Sequence, residues 1–507
     1  MLTAHLALDP QRRIGDIDRR LFGGFVEHLG RHIYTGIYEP GHPTADDSGF
    51  RQDVIDLVRE LGVTTVRYPG GNFVSGFRWE DSVGPRDQRP RRLNLAWHST
   101  ETNEVGLHEF ADWLDRIGAE LMLAVNLGTR GVLEALDLLE YTNLPGGTTL
   151  SERRIANGKP EPFGVSMWCL GNEMDGPWQL GHRSADDYGK LAARTARAMR
   201  QLDPDLKLVV CGSSSRDMPT FGQWERAVLS HTYDEVDFIS CHAYYHGEGD
   251  DRASFLASGV DMDAFIEEVA AIADEVAAAR GSSRRLQISF DEWNVWYLDA
   301  PEDKITGLDT WPVAPRLFER RYTVLDAVVF GGLLISLLKH ADRVTSASLA
   351  QLVNAIAPIL TEPAGPAWRQ TTFYPFATAS RLARGTALRP AMESPTVTTP
   401  RFGEVPVLDA VATHDAETGR LAAFLVNRSE SESLTVSVDL TGFGAVADAA
   451  AHTLSDDDLA ACNTLEDPDR VRLQPNGSLT VSGATVTLEL PPVSWTAVDL
   501  LLGPNQA

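Results

Sequence analysis

Between residues 21 and 352 the chain repeats one pattern eight times, a short apolar or β-branched run followed by a helical window, and few folds accept that order. The runs are Leu21 to Val26, Val63 to Tyr68, Leu121 to Val125, Val165 to Leu170, Leu208 to Cys211, Val236 to Ser240, Leu286 to Phe290 and Thr345 to Leu352. The eighth alternates in a way that a helix would also satisfy. Val54, Leu57, Val58 and Leu61 share one helical face, as do Leu107, Phe110, Ala111, Leu114 and Ile117. Further helices are expected over the alanine-rich Phe265 to Ala279 and over Arg316 to His340. Runs with little polar alternation suit strands covered on both faces, and eight of them separated by helices predict a closed (β/α)8 TIM-type barrel of α/β class.

In such a barrel the carboxyl ends of the strands form one cavity, so the residues that end each run carry the chemistry. The fourth run ends in Asn172-Glu173 and the seventh in Asp291-Glu292. A lone Asn-Glu would more simply cap a turn. A second acidic strand end at the same face makes the pair a candidate for glycoside hydrolysis, in which one carboxyl protonates the leaving oxygen and the other attacks or activates water. Tyr244, just beyond the sixth run, is placed to donate its hydroxyl to Glu292. His28 and His32 are four residues apart, but no accompanying carboxylate-histidine set appears, so no metal and no cofactor is expected.

After about residue 385 the pattern changes to short β-rich runs punctuated by Gly, Asn, Asp and Pro. They include Val405 to Val411, Leu421 to Val426, Leu434 to Leu440, Ser478 to Val481, Ala484 to Leu490 and Val493 to Asp499, which predict an all-β, jelly-roll-like sandwich. Leu2, Ala4, Leu6 and Leu8 alternate with no local hairpin partner, so that strand is expected to join the distant sheet. The expected division is a barrel over residues 15–385 and a sandwich over 386–507 joined by strand 1–14. With 45 basic and 71 acidic residues the net charge is −26, which disfavours nucleic acid and anionic membranes as partners. The start lacks a basic, apolar leader, and the four cysteines show no ligand or disulfide spacing. A cytoplasmic location follows as an expectation.

The motifs Phe22-Gly23-Gly24-Phe25-Val26-Glu27-His28, Gly36-Ile37-Tyr38-Glu39, Arg67-Tyr68-Pro69-Gly70-Gly71-Asn72-Phe73, Trp168-Cys169-Leu170-Gly171-Asn172-Glu173 and Asp291-Glu292-Trp293-Asn294 occur in that order. Together they resemble the α-L-arabinofuranosidases of glycoside hydrolase family 51 over nearly the whole length. The resemblance implies a retaining exo-hydrolase releasing terminal α-L-arabinofuranose from arabinan- or arabinoxylan-derived oligosaccharides, with Glu173 as acid/base and Glu292 as nucleophile. It also implies that Glu27, Asn72, Asn172, Tyr244 and Gln351 bind the furanose or support the nucleophile, and that the chain assembles as a homohexamer. Trp97 and Trp296 are candidate walls for the leaving sugar. Two other readings fit the residues less well: a related barrel glycosidase acting on xylosides or glucans, and a catalytically silent sugar-binding protein. The second gains little from two carboxyls forced into one pocket.

Overall fold

The computed structural model describes residues 2–247, 249, 251–298 and 309–503. Eight parallel strands close a barrel: Gly23–Phe25, Thr65–Tyr68, Glu120–Ala124, Met167–Cys169, Lys207–Val210, Phe238–Tyr245, Gln287–Val295 and Val344–Ala350. The eighth segment is a strand because it is buried between two neighbours. It pairs with the seventh strand and, through Ser348 to Gly23, Leu349 to Gly24 and Ala350 to Phe25, with the first. That closure needs glycine on the first strand. A Cβ at Gly23 would stand 2.4 Å from the Ala347 carbonyl oxygen, and one at Gly24 would stand 2.6 Å from the Leu352 side chain.

The helix expected from Arg316 starts eight residues later, spanning Val324–Lys339. Thr323 and Asp326 form a reciprocal cap: the Thr323 hydroxyl accepts from the Asp326 amide, and the Asp326 carboxylate accepts from the Thr323 amide. The apolar residues before this cap, Leu317 and Phe318, join an apolar cluster with Trp97, and Phe318 lines the cavity described below. Among the described residues no helix is long and apolar enough to cross a membrane.

The last third of the chain builds two sheets. One orders Ala391–Glu393, Leu2–Ala7, Leu434–Asp439, Thr485–Leu490 and Thr480–Ser482; the other orders Arg13–Asp16, Thr386–Leu388, Leu408–Asp415, Arg420–Asn427, Ser494–Leu502, Val446–Leu454 and Gln474–Pro475. Leu2–Ala7 runs parallel to Leu434–Asp439. Ala4, Leu6, Leu425, Val436, Leu488 and Leu500 from both sheets share one apolar core, so the architecture is a sandwich. The seven-stranded sheet is apolar on both faces. Leu421, Ala423 and Leu425 face the sandwich core, while Ala422, Phe424 and Val426 join the barrel's core. There Trp495 lies against Gly331 of the helix Val324–Lys339, where a Cβ would stand 2.2 Å from the indole.

Two sandwich expectations change. Val405 to Val411 is not one strand, since Gly403–Pro406 pairs in a hairpin with Thr396–Thr399 and a separate strand starts at Leu408. Val446–Leu454 is a strand that the sequence did not announce. Its alanines carry no β-branched signal, and pairing with Ser494–Leu502 imposes the extended conformation.

Candidate active site

The fourth barrel strand stops at Cys169, and Gly171 at φ +96° turns the chain so that Asn172 and Glu173 sit over the barrel mouth. Glu173 itself has φ +42°, a backbone conformation that a non-glycine residue keeps only where its surroundings hold it there. The holding contacts are visible. The Trp178 indole N–H donates to Glu173 Oε2 at 2.8 Å, and His242 Nδ1 lies 2.9 Å from Glu173 Oε1.

Neighbours on a regular strand point to opposite faces, yet Asp291 and Glu292 both reach the barrel interior. The pairing shifts register between Phe290 and Trp293 against the eighth strand, and between Ser240 and His242 against the sixth. Such irregularities re-aim side chains, and here they bring two consecutive carboxylates to one cluster. Arg67 Nη1 donates to Glu292 Oε1 at 2.8 Å, and the Tyr244 hydroxyl donates to Glu292 Oε2 at 2.7 Å. Arg67 also donates from Nη2 to Asn172 Oδ1 at 2.6 Å and stands 3.6 Å from Asp291 Oδ2. His242 Nε2 lies 2.9 Å from Asp291 Oδ1.

Two buried cations thus face three buried carboxylates. Burial pulls the His242 imidazole down, but Glu292, Asp291 and Glu173 outweigh it and lift it to about 10, so both ring nitrogens carry protons and donate. Burial would raise Asp291, yet Arg67 and His242 hold it below the usual carboxylate range. Burial pushes the Glu292 carboxyl up, as does Glu173, against the pull of His242, Arg67 and the Tyr244 hydroxyl. Tyr244 is held well above the usual phenol range by burial and by Glu292, which keeps it a donor. One oxygen each of Glu173 and Glu292 and one His242 nitrogen lie within 4.8 Å of one another. Because both imidazole nitrogens are committed to carboxylates, the proton on His242 supplies the counter-charge there.

Glu27, two residues past the end of the first strand, sits in a cradle of donors. Its Oε1 accepts from the Phe73 amide at 2.8 Å and the Trp97 indole at 2.9 Å, and its Oε2 accepts from Gln351 Nε2 at 3.3 Å. Gly71 makes room for it, since a Cβ there would meet Glu27 Oε2 at 2.8 Å. Burial nevertheless pushes Glu27 to about 8. Gln351 is itself fixed, its Oε1 accepting from the Glu27 amide and facing His32 Nδ1.

Glu27, Asn72, Trp97, Glu173, Tyr244, Glu292, Trp296 and Gln351 line one cavity of about 560 Å³ with Trp178, Phe318 and Leu298. Asn172 is set back from that lining: Arg67 occupies its carbonyl oxygen, and its amide points toward Asn72 Oδ1 at 3.5 Å. Trp97 serves as a donor to Glu27, while Trp296 packs edge-on to Tyr244 with ring centroids 4.9 Å apart. His28 lies behind the cavity, between Glu101 and Tyr68. Sequence reasoning passed over Arg67, His242 and Asp291, and over Trp178. A signal was present for Arg67, a charged residue inside a run that a barrel buries and that must therefore be paired there, whereas His242 and Asp291 lie just past the ends of their runs.

Comparison with known proteins agrees with this geometry. Models of the α-L-arabinofuranosidase 1 domain and the α-L-arabinofuranosidase C-terminal domain match residues 57–252 and 291–494. An exo-α-(1→6)-L-arabinofuranosidase of Bifidobacterium longum is 60% identical over 98% of this chain and 97% of its own. An intracellular exo-α-(1→5)-L-arabinofuranosidase of Streptomyces lividans is 56% identical over 98% of this chain and 75% of its own. Among solved structures, a family 51 α-L-arabinofuranosidase from Bifidobacterium longum superposes with a TM-score of 0.95 at 50% identity, covering 99% of this chain and 100% of its own. The chain belongs to the α-L-arabinofuranosidases of glycoside hydrolase family 51.

Proposed function

We propose that the chain is a retaining exo-α-L-arabinofuranosidase in which Glu292 is the nucleophile and Glu173 the acid/base. The supporting observation is the approach of the two carboxylates, whose nearest oxygens lie within 4.8 Å. Retaining glycosidases hold the pair about 5–5.5 Å apart, whereas inverting ones need roughly 6.5–9.5 Å to admit water. The donors divide the roles. Arg67 and Tyr244 each hold one oxygen of Glu292, orienting a carboxylate that must attack the anomeric carbon. Glu173 stands beside Trp178, which is 54% exposed at the lip of the cavity, on the side open to a leaving group.

In the first step Glu292 bonds to the anomeric carbon, the glycosidic C–O bond breaks, and Glu173 passes its proton to the departing oxygen. In the second, Glu173 takes a proton from water, the oxygen of which attacks the same carbon and displaces Glu292. Glu27, with Asn72, Tyr244 and Gln351, offers fixed acceptors and donors to the furanose hydroxyls, and Trp97 and Trp296 wall the space for the leaving sugar. The relatives are named for (1→5) and (1→6) linkages, and a cavity of about 560 Å³ suits short arabinofuranosyl oligosaccharides of either kind. Action inside the cell and assembly as a homohexamer belong to the same proposal; cell fractionation and light scattering test them. The reaction itself is tested by NMR of the first-formed sugar from an aryl α-L-arabinofuranoside. Release of the α anomer is expected, and initial release of the β anomer would overturn the retaining assignment.

A further inference from the structure

At the opposite end of the barrel, four arginines line a second cavity of about 410 Å³: Arg19, Arg59, Arg381 and Arg384. Arg19 precedes the first strand, Arg59 lies near the end of the helix before the second, and the other two belong to the segment entering the sandwich. The hollow therefore faces away from Glu173 and Glu292. In a chain with 26 more acidic than basic residues, arginines have carboxylates to spare. These lack them. Neither Arg381 nor Arg384 makes a hydrogen bond or ion pair among the described residues, and Asp415 acts on Arg384 only from beyond ion-pair distance. Arg19 donates from Nη2 to the Ser380 carbonyl oxygen at 3.0 Å, but its Nη1 is buried with no acceptor. Arg59 is half exposed; its Nε donates to the Arg116 carbonyl oxygen at 2.7 Å, and Asp56 stands 3.7 Å from its Nη1. Glu60, the one acidic residue of the lining, is tied to Arg369, whose Nε donates to it at 2.9 Å.

We infer that this cavity binds a phosphate-bearing small molecule. Guanidinium forks match phosphate oxygens in geometry and charge, and an orphaned N–H beside unpaired cations is what such an anion would satisfy. Burial and the neighbouring Arg384 pull the Arg19 guanidinium down to about 10, which Asp18 offsets only in part. The volume exceeds that of free phosphate, and Phe373 and Tyr374 give the remainder a partly apolar wall. A phosphate monoester of sugar size fits both halves.

The test uses the full chain, melted with increasing ribose 5-phosphate or inorganic phosphate while chloride keeps the ionic strength constant. Ligand that binds only the folded state raises Tm saturably, and both anions are expected to do so, with the sugar phosphate acting at lower concentration. Equal potency of the two would assign the site to free phosphate and still support the shared chemistry. Arg384→Gln and Arg19→Gln should each weaken binding about 10-fold or more. Arg384→Gln should leave Tm in the absence of anion no lower than the parent's, because it removes a like charge beside Arg19 and no hydrogen bond, a result that general damage would not produce. Hydrolysis of an aryl arabinofuranoside should be unaltered in Arg384→Gln, so the outcome is independent of the active-site reading. The inference fails if neither anion gives a saturable rise, if the variants respond like the parent, or if sedimentation shows the anion acting by separating copies whose own carboxylates fill the cavity.

Discussion

Replacing Glu173 by alanine separates proton transfer from everything else that residue does. The substitution removes the acceptor of the Trp178 indole N–H and one of the carboxylates that face His242. Those losses act on every substrate alike. The proton does not: a phenol that leaves unaided needs none, whereas the hydroxyl of a sugar leaves poorly as an alkoxide. General-acid help contributes on the order of 10²–10⁴-fold, which is about 2.7–5.4 kcal/mol at 1.36 kcal/mol per decade. The ratio of oligosaccharide to aryl-glycoside rates for glycosyl-enzyme formation should fall by that factor, with the shared losses cancelling. Turnover of the aryl substrate will be limited by the second step, for which water has lost its base. Azide needs no base, so it should accelerate that turnover and yield the α azide, since two inversions restore the configuration. In Glu292→Ala, azide attacks once and should yield the β azide. The assay is rapid-mixing kinetics on both substrates with NMR of the azide product. Equal loss on both substrates, or the β azide from Glu173→Ala, would refute the assignment.

Three further outcomes follow from the packing. Arg67→Met leaves Asp291 and Glu292 buried without their guanidinium and should cost about 3–5 kcal/mol of stability, read as a lower denaturant midpoint, together with loss of hydrolysis. His242 is raised from 6.5 to about 10 in the fold, so its stabilising charge is complete below pH 6.5 and is lost as pH rises to 10. Between those values Tm should fall more steeply in the parent than in His242→Gln, and parallel curves would contradict the imidazolium. Gly331→Ala drives a methyl into Trp495 at the barrel-sandwich contact and should destabilise by about 1–3 kcal/mol or more, with thermal melting as the readout and an unchanged Tm as the contrary result.

Much of the frame was legible because it rests on periodicity. Seven barrel runs announce themselves as short, largely apolar or β-branched segments between helical windows, and the carboxylates that end the fourth and seventh stand out against them. The eighth was ambiguous in isolation, as its small residues suit either conformation until the glycines of the first strand are seen to receive it. What the sequence concealed was the polarity inside the barrel. Arg67, His242 and Asp291 lie within strands, where motif reading treats them as context for the residues that follow. Their importance appears only when three strands are brought together and each charge is seen to have no other partner. Val446–Leu454 was hidden for the opposite reason: its composition states no preference, and its neighbour in the sheet decides. The start of the helix at Val324 depends on a two-residue cap, a weaker mark than the apolar run that follows it.

The pairing of the eighth strand with the first has a consequence for when the protein can act. Glu27 and Gln351 meet across that seam, 324 residues apart in the chain, and each fixes the other. A ribosome that has delivered Glu173 and Glu292 has delivered both reactive carboxyls but not the floor on which a sugar would rest. The pocket exists only when the ring is shut. Nascent chains and carboxy-terminally truncated chains that stop short of residue 351 are therefore expected to be inert, and activity recovered during refolding times the closing of the barrel.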